Sequence, residues 1–139
     1  AAWSRRNRSA LVRVPGYRPG NESATRVELR CPDAACNPYL TFAVLLHAGL
    51  EGIERGYELP PPMEQNLYDL SPAERRQAGI EVLPENLGEA IELGADSELL
   101  LNCLGEHIHT RLVELKRAEW EEYRQQVSAW EIERYLPFL

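Results

Sequence analysis

No stretch of about 18 uncharged apolar residues occurs in this chain, which argues against a membrane-spanning helix. The opening AAWSRRNRSALVRVP holds no apolar core of signal-peptide length, so nothing marks secretion. Cysteine is sparse. Cys31, Cys36 and Cys103 are odd in number and lack zinc-type spacing, which predicts reduced thiols in a cytosolic protein. Internal repeats and low-complexity tracts are missing as well. What is present is globular in composition, 44% hydrophobic and 27% charged, and 139 residues suffice for about one domain with a usable core.

Lysine is nearly absent: of fifteen basic residues only Lys116 is not arginine. Arginine suits bidentate capture of carboxylate or phosphate. The net charge of −7 conceals an asymmetry, because residues 1–30 sum to +5 and residues 31–139 to −12. Seven arginines, at positions 5, 6, 8, 13, 18, 26 and 30, set against Glu22 and Glu28 give the first figure. A cationic section on an acidic body points to a local anion site. A nucleic-acid-binding protein would spread its basic footprint across the fold.

The stretch TRVELRC alternates. Successive strand residues point to opposite faces, so Arg26, Glu28 and Arg30 share one face while Val27, Leu29 and Cys31 share the other. The apolar set reads as a core face. The charged set is a solvated surface with cross-strand ion pairs or the floor of a site. SALVRVP, 9–15, reads as a strand stopped by Pro15, and 24–31 as its partner, giving a hairpin over 9–31 with a long Gly/Pro/Asn connection.

Helices follow. Asn37 caps and Pro38 opens a helix running to about Gly56, apolar nearly all round from Tyr39 to Leu46, as expected of a central buried helix. The proline-rich segment 57–84 is mostly irregular, with a capping box at Ser71 and Glu74 starting a short helix to about Ala78. Another short helix spans about 85–93. Asp96 or Ser97 caps the longest, to about Val127, whose apolar set is Leu100, Leu101, Leu104, Ile108, Leu112 and Leu115. A short helix and the apolar tail YLPFL end the chain. The predicted class is α+β, mainly helical, with a short N-terminal antiparallel hairpin. Two short amphipathic strands are marginal alone, so the chain reads as the back part of a larger domain, cut inside its sheet.

Three separated motifs, SRRNRSALVRVP, RVELRCPDAACNPYL and NLYDL, stand in the order found in glutamine synthetases. Through LGEHIHTRLVELKRAEWEEYRQQVSAWEIERYL the chain resembles the C-terminal third of the bacterial and archaeal type I enzymes over essentially all its length. The resemblance implies an ATP-dependent ligase. ATP phosphorylates the γ-carboxylate of glutamate, and ammonia displaces phosphate from the γ-glutamyl phosphate. Mg²⁺ or Mn²⁺ organises the phosphates, and the parent is a cytoplasmic double-ring dodecamer. Such chemistry is mostly positioning and neutralisation of anionic oxygens.

Carried over by position, the resemblance makes Glu28 a metal ligand and Arg30 a catalytic, glutamate-holding arginine. It places Arg8 at the γ-phosphate and γ-carboxylate, and Arg13 and Arg26 at the nucleotide. Strand parity sets Arg8 at the entry of the first strand, outside the ladder. Arg5 and Arg6 read as surface or subunit-contact residues. Tyr68 matches a tyrosine that some relatives adenylylate, although the chain's ending resembles the feedback-inhibited, non-adenylylated subtype. His107 and His109 are two apart and cannot share a helix face, and His47 reads as a packed histidine, so no histidine is assigned to metal. Trp120, Tyr123 and Trp130 read as core or interface aromatics.

The N-terminal β-domain and the other metal carboxylates lie outside the resemblance, so the chain alone is expected to be inactive and, through open strand edges and its tail, to self-associate. The alternatives are part of a ligase joining glutamate to an amine or polyamine, and a catalytically silent structural homologue. The joint presence of Arg8, Arg13, Arg26, Glu28 and Arg30 argues against the latter.

Overall fold

The computed structural model describes residues 2–138, and the chain divides into two compact units, Ala1–Leu83 and Pro84–Leu139. In the first unit, among the described residues, β1 (Trp3–Ser4), β2 (Val12–Arg13) and β3 (Glu28–Leu29) form one sheet in the order β1-β2-β3. β2 and β3 are antiparallel, with Val12 opposite Leu29 and Arg13 opposite Glu28. This is the expected hairpin with a shorter ladder. β1 was not expected. It runs parallel to β2, and two residues are too few to show the alternation by which a strand is read.

Hydrogen bonds from Ser4 account for the position of β1. Ser4 is fully buried; its Oγ donates to Glu64 Oε2 at 2.9 Å and accepts from the backbone N–H groups of Arg6 and Asn7. The backbone N–H of Arg5 and the Ser4 hydroxyl hold the Glu64 carboxyl below its ordinary pKa. Nearby, Met63 N–H donates to Trp3 O at 2.8 Å and the Trp3 indole N–H to Pro60 O at 2.7 Å. Asn7 Nδ2 donates to the carbonyls of Met63 and Gln65, and Leu67 N–H to Ser9 Oγ. The irregular segment 60–67 is thus stitched to residues 3–9, and the NRS and NLYDL motifs meet. Buried polar groups here are nearly all paired, as a small unit requires.

The expected core face of the hairpin is not one. Val27 is 67% exposed and Cys31 is exposed, leaving Leu29 half-buried. α1 (Pro38–Glu54) forms as predicted, with Asn37 Oδ1 accepting from the N–H groups of Tyr39 and Leu40. It closes with Tyr57 N–H donating to Gly52 O and Gly56 N–H to Ile53 O, the paired bonds of a Schellman end. Its expected burial is corrected. Tyr39, Phe42, Leu46, Leu50 and Ile53 are exposed, none of its residues is buried, and Leu45 is half-exposed. Three two-residue strands offer too little surface to cover a helix of nearly five turns. α2 (Pro72–Gln77) has the predicted Ser71–Glu74 capping box.

The second unit is helical: α3 (Leu87–Ala95), α4 (Glu98–Arg124) and α5 (Ala129–Tyr135). Asn86, Ser97 and Ser128 cap them through side-chain oxygens. α3 packs on α4, covering Ile91, and the buried His109 donates from Nε2 to Gly94 O at 3.0 Å. Trp120 closes over Gly88, where a Cβ would lie 2.7 Å from the indole Nε1. Only glycine admits that approach. α4 is not the single straight helix expected, because Gly105 has φ 73° and ψ 160°. Of the predicted apolar set, Leu100 and Leu112 line the cavity between α4 and α3, together with His109, Val113 and Lys116, while Ile108 and Leu115 are exposed. Trp120 stacks on Tyr123 and Trp130 meets Tyr135 edge-on, so these aromatics pair with each other. The tail folds as a short turn at Leu136–Phe138 with Phe138 exposed, while Leu139 lies outside the described residues. Among the described residues no helix is long and apolar enough to cross a membrane.

Candidate functional site

The register of β2 on β3 decides the geometry of the charged face. Arg13 and Glu28 are directly opposite, so their side chains rise on the same side of the sheet. Arg13 Nη1 donates to Glu28 Oε2 at 2.7 Å. Arg26, two residues before Glu28, donates from Nε and Nη2 to Oε1 at 2.9 and 2.6 Å. Both carboxylate oxygens therefore accept from guanidinium. Glu28 and Arg13 are each 23% exposed and Arg26 53%. Partial desolvation pushes the Glu28 carboxyl up, but the hydrogen bonds and positive charges of Arg26 and Arg13 outweigh it and hold the group below its ordinary pKa. Arg13 Nε is covered and has no hydrogen-bond partner.

Beside this pair opens a cleft of about 630 Å³ lined by Arg5, Arg6, Arg13, Arg18 and Arg26 together with residues of the 15–25 connection. Five of the seven arginines of residues 1–30 therefore face one space. Arg5 and Arg6, read from sequence as surface or contact residues, belong to this lining. So does Arg18, which sequence reasoning left unassigned. The signal that could have found them was the charge asymmetry itself, since strand parity says nothing about loop residues. The remaining two behave differently. Arg8 sits exposed in the turn before β2, outside the ladder, and Arg30 is exposed just beyond β3, its backbone N–H donating to Leu11 O at 2.9 Å. The structure thus brings Arg13, Arg26 and Glu28 together and keeps Arg8 and Arg30 out of the cleft lining.

Other expectations resolve simply. Tyr68 lies in a single turn, Leu67–Asp69, capped by Asn66, and is 79% exposed. His47 is half-exposed with Nε2 4.0 Å from Glu51 Oε2, rather than packed in an apolar environment.

The model of the family described as "Glutamine synthetase, catalytic domain" matches residues 1–135. This chain belongs to the glutamine synthetase family. It is 53% identical over 136 residues to the glutamine synthetase of Mycolicibacterium smegmatis, covering 98% of this chain and 30% of the relative. It is 46% identical over 135 residues to that of Methanocaldococcus jannaschii, covering 97% and 29%. A solved structure described as "Apo GmaS without ligand" superposes with a TM-score of 0.69 at 34% identity, covering 94% of this chain and 28% of that one. The chain thus spans about 30% of the length of the relatives it matches.

Glutamine synthetase chemistry as the resemblance implies it calls for a divalent cation. Mg²⁺ and Mn²⁺ take about six oxygen ligands. Among the described residues no group of three or more His, Cys, Asp or Glu is placed to hold a metal ion. Glu28 is the carboxylate of this site, and guanidinium groups occupy both of its oxygens. These residues alone do not fit a cation site.

Proposed function

We propose that this chain forms part of the catalytic domain of a glutamate–ammonia ligase, supplying arginines that hold the phosphates of ATP and the carboxylates of glutamate. The convergence of Arg13 and Arg26 on Glu28 at the edge of a five-arginine cleft carries this reading. Phosphoryl transfer needs fixed cations more than it needs covalent groups from the protein. Glu28 orients two guanidinium forks by a shared ion pair, so they meet a polyphosphate pre-positioned. Arg8 and Arg30, outside that cleft, remain for glutamate and its γ-phosphate. The same split is what the resemblance implies by position.

The metal-ligand role that the resemblance gives Glu28 is not used in this reading, because Arg13 and Arg26 occupy both of its carboxylate oxygens. The chain alone is then inactive, and the double-ring, cytoplasmic parent supplies the rest. Tyr68 stays an accessible hydroxyl with no part in catalysis. Ammonia is favoured over a larger amine because the relatives that match 97–98% of this chain at 46–53% identity are named glutamine synthetase.

The test is a chimera in which this chain replaces the 136 matching residues of the Mycolicibacterium smegmatis enzyme. ATP-dependent glutamine formation from glutamate and ammonia is expected, with methylamine and polyamines poor substitutes. A folded chimera that uses only amines, or neither, contradicts the proposal.

A further inference from the structure

The cleft holds more positive charge than its acids balance. Arg13 and Arg26 share Glu28. Arg5 lies against Glu64, whose carboxyl accepts its backbone N–H at 3.1 Å and feels its charge. Among the described residues Arg6 and Arg18 take part in no ion pair, although both line the cleft. Glu22 is the acid next along the chain to Arg18, and it is committed elsewhere. Its Oε1 accepts from the Gly20 N–H at 3.0 Å and the Tyr17 hydroxyl at 3.1 Å, ties that fold the 15–25 connection on itself. The loop therefore uses its own acid to hold its shape and leaves Arg18 to the cleft. Arg13 Nε offers one more N–H without an acceptor.

Converging guanidinium groups repel one another unless an anion joins them, and in a partly enclosed site that repulsion is poorly screened. The cationic character of the cleft is local, since the chain as a whole carries a net charge of −7. We infer that Arg6 and Arg18 are phosphate-binding residues, extending the Arg13–Arg26 pair so that the cleft takes the whole polyphosphate chain of a nucleoside triphosphate. This rests on the reading that Arg13 and Arg26 face the nucleotide. It goes further in making two arginines outside the strand ladder, one before β2 and one on the loop after it, part of the recognition of phosphate. A chain of three phosphates presents oxygens along its length, which several separate forks can grip bidentately. One phosphate cannot reach them all. The cleft accordingly discriminates by phosphate number.

Calorimetric titration of the 139-residue chain at low salt tests this, with inorganic triphosphate, ATP and AMP as ligands. Triphosphate and ATP are expected to bind within about threefold of each other and AMP at least about tenfold more weakly. Arg6→Gln and Arg18→Gln are each expected to weaken triphosphate binding by about three- to tenfold, with unchanged far-ultraviolet circular dichroism. Arg117→Gln, which removes an arginine paired with Glu92 in the second unit, is expected to leave it unchanged. Absence of saturable triphosphate binding overturns the inference, as does wild-type affinity in both Arg6→Gln and Arg18→Gln. If Arg13→Gln and Arg26→Gln weaken binding while those two do not, the inference fails and the proposed function stands. If none of the four matters, both fail.

Discussion

Arg13 and Glu28 oppose each other across β2 and β3, with Nη1 2.7 Å from Oε2, and Arg26 closes on the other carboxylate oxygen at 2.6 Å. A carboxyl held below its ordinary pKa stabilises the fold while ionised. For Glu28 that contribution is fully present above the unfolded value, near 4.5, and is lost as pH falls through the lower folded value. Glu22, Glu64, Glu74, Glu121 and Glu131 shift in the same direction. The melting temperature is therefore expected to be flat from about pH 7 to 5 and to fall below about 4.5. Glu28→Gln is expected to make that acid limb shallower. A limb of unchanged steepness would show that the clasp contributes nothing to it.

Ser4→Ala tests the join between β1 and residues 60–67. The hydroxyl is fully buried and makes three hydrogen bonds. Removing it leaves two backbone N–H groups without this acceptor, at a cost of about 1–3 kcal/mol. Chemical denaturation measures this, and a change under about 0.3 kcal/mol would mean that water replaces the hydroxyl freely.

Gly88→Ala tests the second unit. Its Cβ would lie 2.7 Å from Trp120 Nε1 and 2.8 Å from Cε2, so the indole has to move. Overpacking of this kind costs about 1–3 kcal/mol, offset by up to about 1 kcal/mol of better helix propensity. Near-ultraviolet circular dichroism is expected to change along with stability. An unchanged spectrum with a raised melting temperature would show that the indole swings aside without loss.

Association follows from α1. Tyr39, Phe42, Leu46, Leu50 and Ile53 recur at three- and four-residue spacing and are all exposed, so they form one apolar stripe. Covering such surface gains roughly 25 cal/mol per Å². The chain is expected to self-associate at micromolar concentration, and Phe42→Lys with Leu46→Lys to reduce this in light scattering. A monodisperse monomer in the unsubstituted chain would contradict the expectation.

Local signals in the sequence were legible wherever chemistry acts over a few residues. Asn37 with Pro38 and Ser71 with Glu74 each start a helix as read, and of the two caps offered for α4 it is Ser97, not Asp96, that serves, because a cap needs only its own turn. Arg26 and Glu28 share a face because strand parity is equally local. Burial was not legible. An apolar helix such as α1 announces that something must cover it, not that its own unit does. The regular apolar spacing of α4 gave no sign of the break at Gly105, whose positive φ depends on the backbone around it, or of the burial of His109. Arg6 and Arg18 reach the cleft through loops, whose course no periodicity encodes.

The proposed function divides labour among the arginines, and one kinetic comparison in the chimera reads that division directly. Arg26→Ala is expected to raise the KM for ATP by about tenfold or more with a smaller effect on glutamate, while Arg30→Ala does the reverse. Equal effects of both substitutions on both substrates, or glutamate kinetics unchanged in Arg30→Ala, would contradict it.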